Sequence, residues 1–377
     1  MTSRPSVLRK KLSSWRNEMR IPGVIVLPPN RVWRTYLGGR TLDVFEKKED
    51  PEDRSYPEDW IASTTRANNR GRENLKDEGL SRIEVDNRDI LLRDLFAEFP
   101  EETLGPDHFL KYGANTQFLL KFLDSSIRLH IQCHPTAEFA KRNLNSSSGK
   151  TEAYIILRTR EEVENPYVYL GFQNPPNKEE FKQAILQQDM GRILSCFEKI
   201  PVKPGEVFIV PGGLPHAIGE GIFMVEIMEP TDFAVRIEFE RGGYVLPEEA
   251  RFMGRGIDFA LSMFNFDKMS VEEVRKKNFL PPKLTRQYND ASLEYSLINE
   301  EATRCFRVKR LDVVGALEKE EESFYVGIVT RGNGTVSSAG LTREIRTGDK
   351  FFVPFQTDQA RFESREQMEI LLALPPT

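Results

Sequence analysis

From Val24 onward the chain consists of short apolar runs separated by Gly, Pro and Asn, the pattern of a mostly β body. VIVLPP, FLLKFL, RLHIQCH, AYIIL, YVYLGF, EVFIVP and GIFMVEIM each read as a strand. Two stretches break that rhythm. Val7, Leu8, Leu12, Trp15 and Met19 recur at helical spacing behind Ser3 and Ser6, which predicts an amphipathic helix over 1–20. Phe181, Ile185, Met190, Ile193, Leu194 and Phe197 follow a helical period, which predicts a helical insertion over 178–199. The span 46–60 is acidic and broken by Pro, as in a surface loop.

The pattern also repeats. KPGEVFIVPGG at 203–213 has an echo in RTGDKFFVPFQ at 346–356, with Gly, acid, strand and Pro at equal spacing. The echo predicts two copies of one β-unit, each a tight turn at Gly followed by a strand that Pro ends. The seam falls near 265–290, where a helix, a Pro pair and a polar run intervene. The expected division is an N-terminal helix over 1–20, a first barrel over 21–265 and a second, smaller barrel over 266–377.

Length and charge narrow the classes. A chain of 377 residues suits one large or two medium domains. Its 53 Lys and Arg against 58 Asp and Glu give a formal net charge of −5, which offers no footprint for nucleic acid. No apolar run approaches the ~20 residues of a membrane span, and the N-terminus lacks the apolar core of a signal peptide. Cys133, Cys196 and Cys305, odd in number and far apart, predict reduced thiols and a cytoplasmic location.

The chain has only 4 His, and RLHIQCHP holds two of them. On a strand, His130, Gln132 and His134 share one face and Cys133 takes the other. Glu152 opens a following strand, with Lys150 two residues earlier on the same side. Taken singly, each His reads as a hydrogen-bonded core residue. His216, however, closes a run from Gly205 through Pro211 and Gly213 that resembles the second metal motif of cupin barrels, with Glu220 in place of its final Asn. No Gly-rich phosphate loop of the nucleotide-binding kind is present.

Taken in order, QCHP, GKTEAY, PHAIG and EIMEPTDFAVR resemble the segments of the class I mannose-6-phosphate isomerases. The similarity extends to YLGGRTL (36–42), EDWIAS (58–63) and FLLKFLD (118–124), covering most of 22–260. It implies an all-β fold with inserted helices, built as two cupin (jelly-roll) β-barrels with a small helical segment. It implies one zinc ion per chain, bound by Gln132, His134, Glu152 and His216. The implied reaction interconverts mannose 6-phosphate and fructose 6-phosphate through an enediol. Within it Lys150 donates to the enediolate or shuttles its proton, and Arg236 is a fixed cation at the mouth of the site. Glu226 serves as base or as support for a ligand.

Asp232 and Arg236 read as four apart on one strand face, so Asp232 orients Arg236 or acts as base, with a structural ion pair as the plain alternative. His130 lines the pocket or ends the strand, and His108 is structural. Arg142, Ser147 and Arg236 are candidates for holding phosphate. TDFAVR carries Ala234 and Val235 where short bacterial members have Thr and Tyr, which leaves the sugar and its phosphorylation open. An isomerase of another sugar, unphosphorylated or differently phosphorylated, is the alternative, and a non-catalytic sugar-binding cupin is the third reading. With no His beyond His216, the C-terminal barrel predicts no second site of this type. The implied partner is a small sugar phosphate, and the implied assembly is a monomer or weak homodimer.

Overall fold

The structure, a computed structural model, describes residues 19–377. The helix expected over 1–20 lies outside the described residues except for its last two positions. The described chain is mostly β, with several sheets and short helices, and none of those helices is long and apolar enough to cross a membrane.

Two antiparallel sheets face each other. The six-stranded sheet runs Val207–Val210, Glu152–Thr159, Ile222–Met228, Leu119–Ser125, Glu58–Ile61 and Arg31–Val32. The five-stranded sheet runs Ile200–Pro201, Tyr167–Leu170, His216–Ile218, Gln132–Cys133 and Val235–Arg236. RLHIQCH, read as one strand, forms regular pairing only at Gln132–Cys133.

Register decides which groups enter the space between the sheets. Lys121 lies opposite Glu226, Glu226 opposite Tyr154, and Leu123 opposite Glu58. Directly opposed residues share a face, and the period of two adds Glu152 to it. Leu123, Ile156 and Met224 from this face meet Val168, Leu170 and Ile218 of the facing sheet, so one end of the interior is apolar. The other end is charged. The outer face carries Leu120, Phe122, Val225 and Ile227, which pack with Phe306, Phe324, Phe352 and Leu371 of the C-terminal sheet.

That third sheet has nine strands. Its main path runs from Lys283–Gln287 at one edge through Leu293–Ile298, Arg307–Lys319, Ala360–Leu374 and Tyr325–Arg331 to Lys350–Val353. The edge beyond Lys350–Val353 is closed by Ile25–Leu27, which pairs Ile25 with Phe352 and Leu27 with Lys350. The echoed units share their turn geometry. Gly205 and Gly348 hold φ of 88° and 96°, and each is followed by a four-residue strand, Val207–Val210 and Lys350–Val353.

The helical period over 178–199 corresponds to Lys178–Gln187, capped by Asn177, and Met190–Ser195, capped by Asp189. Phe181, Ile185 and Ile193 cover the outer face of the five-stranded sheet at Tyr169, Ala217 and Val235. Near the expected seam, Ser270 and Glu273 form a capping box on helix Val271–Asn278.

Candidate active site

Three loops converge on Pro135. Gly213 N–H donates to the His134 carbonyl at 2.7 Å, and Lys150 N–H donates to the Pro135 carbonyl at 3.0 Å. A Cβ on Gly149 or Gly212 would stand 2.5 Å from the Pro135 oxygen, so only glycine lets these backbones meet. The junction gathers His134, Lys150, Glu152 and His216, and all four side chains are buried.

The donor atoms face one another. Nε2 of His134 lies 3.1 Å from one Glu152 oxygen, and Nε2 of His216 lies 3.3 Å from the other. Both Nδ1 atoms are committed: His134 donates to the Phe233 carbonyl at 2.7 Å and His216 to the Leu214 carbonyl at 2.8 Å. In the neutral rings this leaves both Nε2 atoms as bare lone pairs. Burial pushes the His134 imidazole down to about 3, so it is neutral at physiological pH. Two lone pairs and a carboxylate aimed at one point repel unless a cation sits there. Apart from its ion pair with Lys150 Nζ at 3.0 Å, Glu152 Oε1 is moreover a buried oxygen without a hydrogen bond. Imidazole nitrogens with a carboxylate, their far nitrogens held by carbonyls, suit a divalent metal such as zinc.

Gln132 completes the group. Directly opposite His216 in the sheet, it brings its side-chain amide 3.3 Å from His216 Nε2. The amide nitrogen faces that lone pair; turned over, the amide would present its oxygen instead. Tyr154 O–H donates to Glu152 at 2.7 Å and fixes the carboxylate. Burial opposes ionisation of Glu152, and His134 and Lys150 overcome it, holding the acid well below the usual carboxylate range. Because His134 is neutral, we assign that hold to Lys150, whose Nζ lies 3.0 Å from Glu152 and 3.3 Å from His134 Nε2.

Beyond these ligand-type residues a cavity opens between the sheets. Arg34, Lys121, Lys150 and Arg236 line it together with Glu58, Glu152, Glu226 and Asp232. One ammonium serves two acids there: Lys121 lies 3.1 Å from Glu226 and 3.5 Å from Glu58. Glu226 is the nearer, but Glu58 has more partners. It also accepts from Tyr36 at 2.6 Å and Trp60 at 2.7 Å, and despite burial it is held below its ordinary value by Lys121 and Arg34. Burial pushes Glu226 up to about 8, against the pull of Lys121 and with the charge of Glu152 adding. The acid is therefore largely protonated at neutral pH. Four basic groups then face three carboxylates, and the cavity carries net positive charge.

Asp232 is not where alternation placed it. Pro230 ends the strand before it, regular pairing resumes only at Val235–Arg236, and Asp232 stands in the loop between. Its partner is Arg34, at 3.4 Å, rather than Arg236. Burial opposes its ionisation, but Arg34, with Lys150 and Lys121 behind it, draws the acid down to about 2. Arg236, opposite Gln132 in the sheet, lines the cavity. His130 does so too; its Nδ1 meets the Glu238 carbonyl at 3.1 Å, and burial and then Arg236 push it down to about 4.

Arg142 and Ser147 are exposed and do not line the cavity, which removes both as phosphate candidates there. His108 does not line this cavity; it lies against Tyr112 and Phe324, with Nε2 2.7 Å from the Asn115 carbonyl. Sequence reasoning passed over Arg34, Tyr36, Glu58, Lys121 and Tyr154. The available signal was a charge inside an apolar run, as at Lys121 in FLLKFLD.

No family model matches the chain. A probable mannose-6-phosphate isomerase of Bacillus subtilis is 26% identical over 265 residues, covering 70% of this chain and 75% of that protein. The mannose-6-phosphate isomerase of Streptococcus mutans is 27% identical over 271 residues, covering 70% and 78%. The crystal structure of the mannose 6-phosphate isomerase from Bacillus subtilis superposes with a TM-score of 0.70 at 19% identity, over 93% of this chain and 99% of that one. A zinc-bound holo mannose 6-phosphate isomerase superposes at 0.69 and 15% identity, over 93% and 100%. By sequence over 70% of its length, this chain is similar to mannose-6-phosphate isomerases, and over 93% of its length it shares the fold of one.

Proposed function

We propose that the protein is a zinc-dependent aldose–ketose isomerase that interconverts mannose 6-phosphate and fructose 6-phosphate. The observation that carries this reading is the convergence of both imidazole Nε2 atoms on Glu152 with Lys150 beside them. We take the five- and six-stranded sheets as a cupin jelly-roll barrel within 21–265, and 266–377 as a second barrel of this kind without the ligands.

Gln132, His134, Glu152 and His216 would hold one zinc ion. Bound there, it supplies a Lewis acid for the sugar's carbonyl and hydroxyl oxygens. The chain's own groups do the rest. Lys150, pinned beside Glu152, donates hydrogen bonds to oxygen as charge develops at C1 and C2. Arg236 presents a fixed cation on the same cavity wall.

The two spare acids divide by surroundings. Asp232, drawn down to about 2, is a weak base and serves as counter-ion. Glu226, near 8, holds a proton that exchanges in the physiological range, as transfer between C1 and C2 requires. Net positive charge in the cavity favours a phosphorylated sugar over a free one.

The test is a coupled assay of mannose 6-phosphate conversion on protein as purified, after chelation, and after zinc is restored. Activity lost to the chelator and regained with zinc is expected. Absent turnover with zinc bound, and equal or better turnover of free mannose, would move the assignment to unphosphorylated sugars.

A further inference from the structure

Arg34 has no role so far, and its surroundings differ from those of the other buried arginines. Arg128 closes on Glu238 with contacts of 2.5 and 2.7 Å, and Arg160 closes on Asp53 at 2.7 Å and Asp124 at 3.0 Å. Those are short, charge-assisted pairs, although Arg160 Nε itself has no acceptor. Arg34 is almost as buried, yet every contact it makes is long. Its Nε is 3.4 Å from Glu58, its Nη2 3.4 Å from Asp232, and its Nη1 3.4 Å from Asn69 and 3.5 Å from Asp232. Its Cζ lies 5.8 Å from the centroid of the Trp60 ring.

The guanidinium thus lines the cavity with acids near enough to hold it and too far to saturate it. Arg236 shares the wall, and no described residue accepts a hydrogen bond from its guanidinium; the charges of Arg34 and Asp232 both act on it. Two planar forks, one held only by long contacts and one without an acceptor, beside one carboxylate match an oxyanion that accepts from both.

We propose that Arg34 is a specificity-determining residue that receives the substrate's phosphate together with Arg236, with Asp232 as their counter-ion. This rests on the sugar-phosphate reading above. Arg34 comes from the turn after strand Arg31–Val32, remote in sequence from every ligand-type residue, so the phosphate grip is built apart from the metal group.

Glucitol 6-phosphate, which cannot isomerise, is titrated calorimetrically into the zinc-loaded protein and into Arg34→Gln, with glucitol as control. Affinity for the polyol phosphate should fall at least tenfold, with zinc content and any affinity for glucitol unchanged. Equal affinity in the two proteins, a parallel loss for glucitol, or no binding by the unaltered protein overturns the proposal. If Arg34→Gln does not fold, a crystal structure of the unaltered protein with the polyol phosphate decides. Phosphate oxygens on the Arg34 guanidinium support the proposal, and phosphate held elsewhere refutes it. A protein that grips the polyol phosphate through Arg34 yet does not turn over mannose 6-phosphate sinks the isomerase reading alone. Unimpaired mannose 6-phosphate turnover and KM in Arg34→Gln sinks Arg34 alone.

Discussion

Lys350 carries the most exposed prediction about how the sheets are joined. Strand Glu58–Ile61 sends Glu58 into the cavity and Asp59 to the opposite face. There Asp59 meets Lys350 of the C-terminal sheet at 2.6 Å, and Lys350 also reaches Glu46 at 2.9 Å. In Lys350→Met the two acids fare differently. Glu46 keeps Arg31 at 2.9 Å, whereas Asp59 retains one backbone N–H, from Asn30, also at 2.9 Å. The cost is therefore close to that of one orphaned buried carboxylate, about 3 kcal/mol, at the low end for a broken buried pair because the Met stem fills the space.

The sign with pH follows. Burial opposes ionisation of Asp59, and Lys350 holds its pKa below the ordinary value. The pair's stabilisation is present above the unfolded pKa of about 3.9 and fades as pH falls through the folded one. The destabilisation by Lys350→Met should accordingly be full at pH 7 and shrink toward pH 4, where the orphan takes a proton. Urea unfolding of equally zinc-loaded proteins, followed by fluorescence and circular dichroism, measures it, with coincident transitions required before a free energy is drawn. Asp59→Asn in the Lys350→Met background should recover most of the loss. A loss under about 1 kcal/mol, unrelieved by Asp59→Asn, would refute the assignment of an orphaned charge.

Other outcomes follow from the site. His134→Ala and His216→Ala should each lose bound zinc and activity together; metal analysis showing full zinc in either contradicts the ligand set. Lys150→Met should keep zinc and lose turnover by at least about a hundredfold, within the range of a lost acid–base or oxyanion group. In zinc-free protein, Glu226 releases its proton near 8 when folded and in the ordinary carboxylate range when unfolded, so stability should fall as pH rises between the two. Glu226→Gln should flatten that slope in denaturation curves, and an unchanged slope removes Glu226 as its source. Ser270→Ala, which deletes a capping box, should cost about 1 kcal/mol without touching activity.

The cluster of ligand-type residues was legible because its residues travel in short segments. Gln132 with His134, and Lys150 with Glu152, are two apart, and the glycines that let their loops meet stand beside them in the chain. The charged cavity was not legible, because Arg34, Glu58, Lys121 and Glu226 meet through strand register, and no local spacing encodes a register. Asp232 failed for a nearer reason: reading alternation through Pro230 extended a strand that Pro ends. The strand EVFIVP and its echo were readable from Gly and Pro punctuation, whereas nothing in VIVLPP says that its neighbour is Lys350–Val353.

That edge strand bears on how the protein is made. Ile25–Leu27 leaves the ribosome early, and its partner is synthesised near the end of the chain. At ~5–20 residues per second the strand waits tens of seconds with its hydrogen-bonding edge unmet. During that interval Ile25 and Leu27 offer an apolar, unpaired segment to any other strand edge or to a chaperone. Completion of the last sheet thus joins two segments more than three hundred residues apart, and a nascent chain stalled before Lys350 would carry an adhesive strand at Ile25–Leu27. A fragment begun at the seam would lack an edge strand that the full chain supplies from its other end.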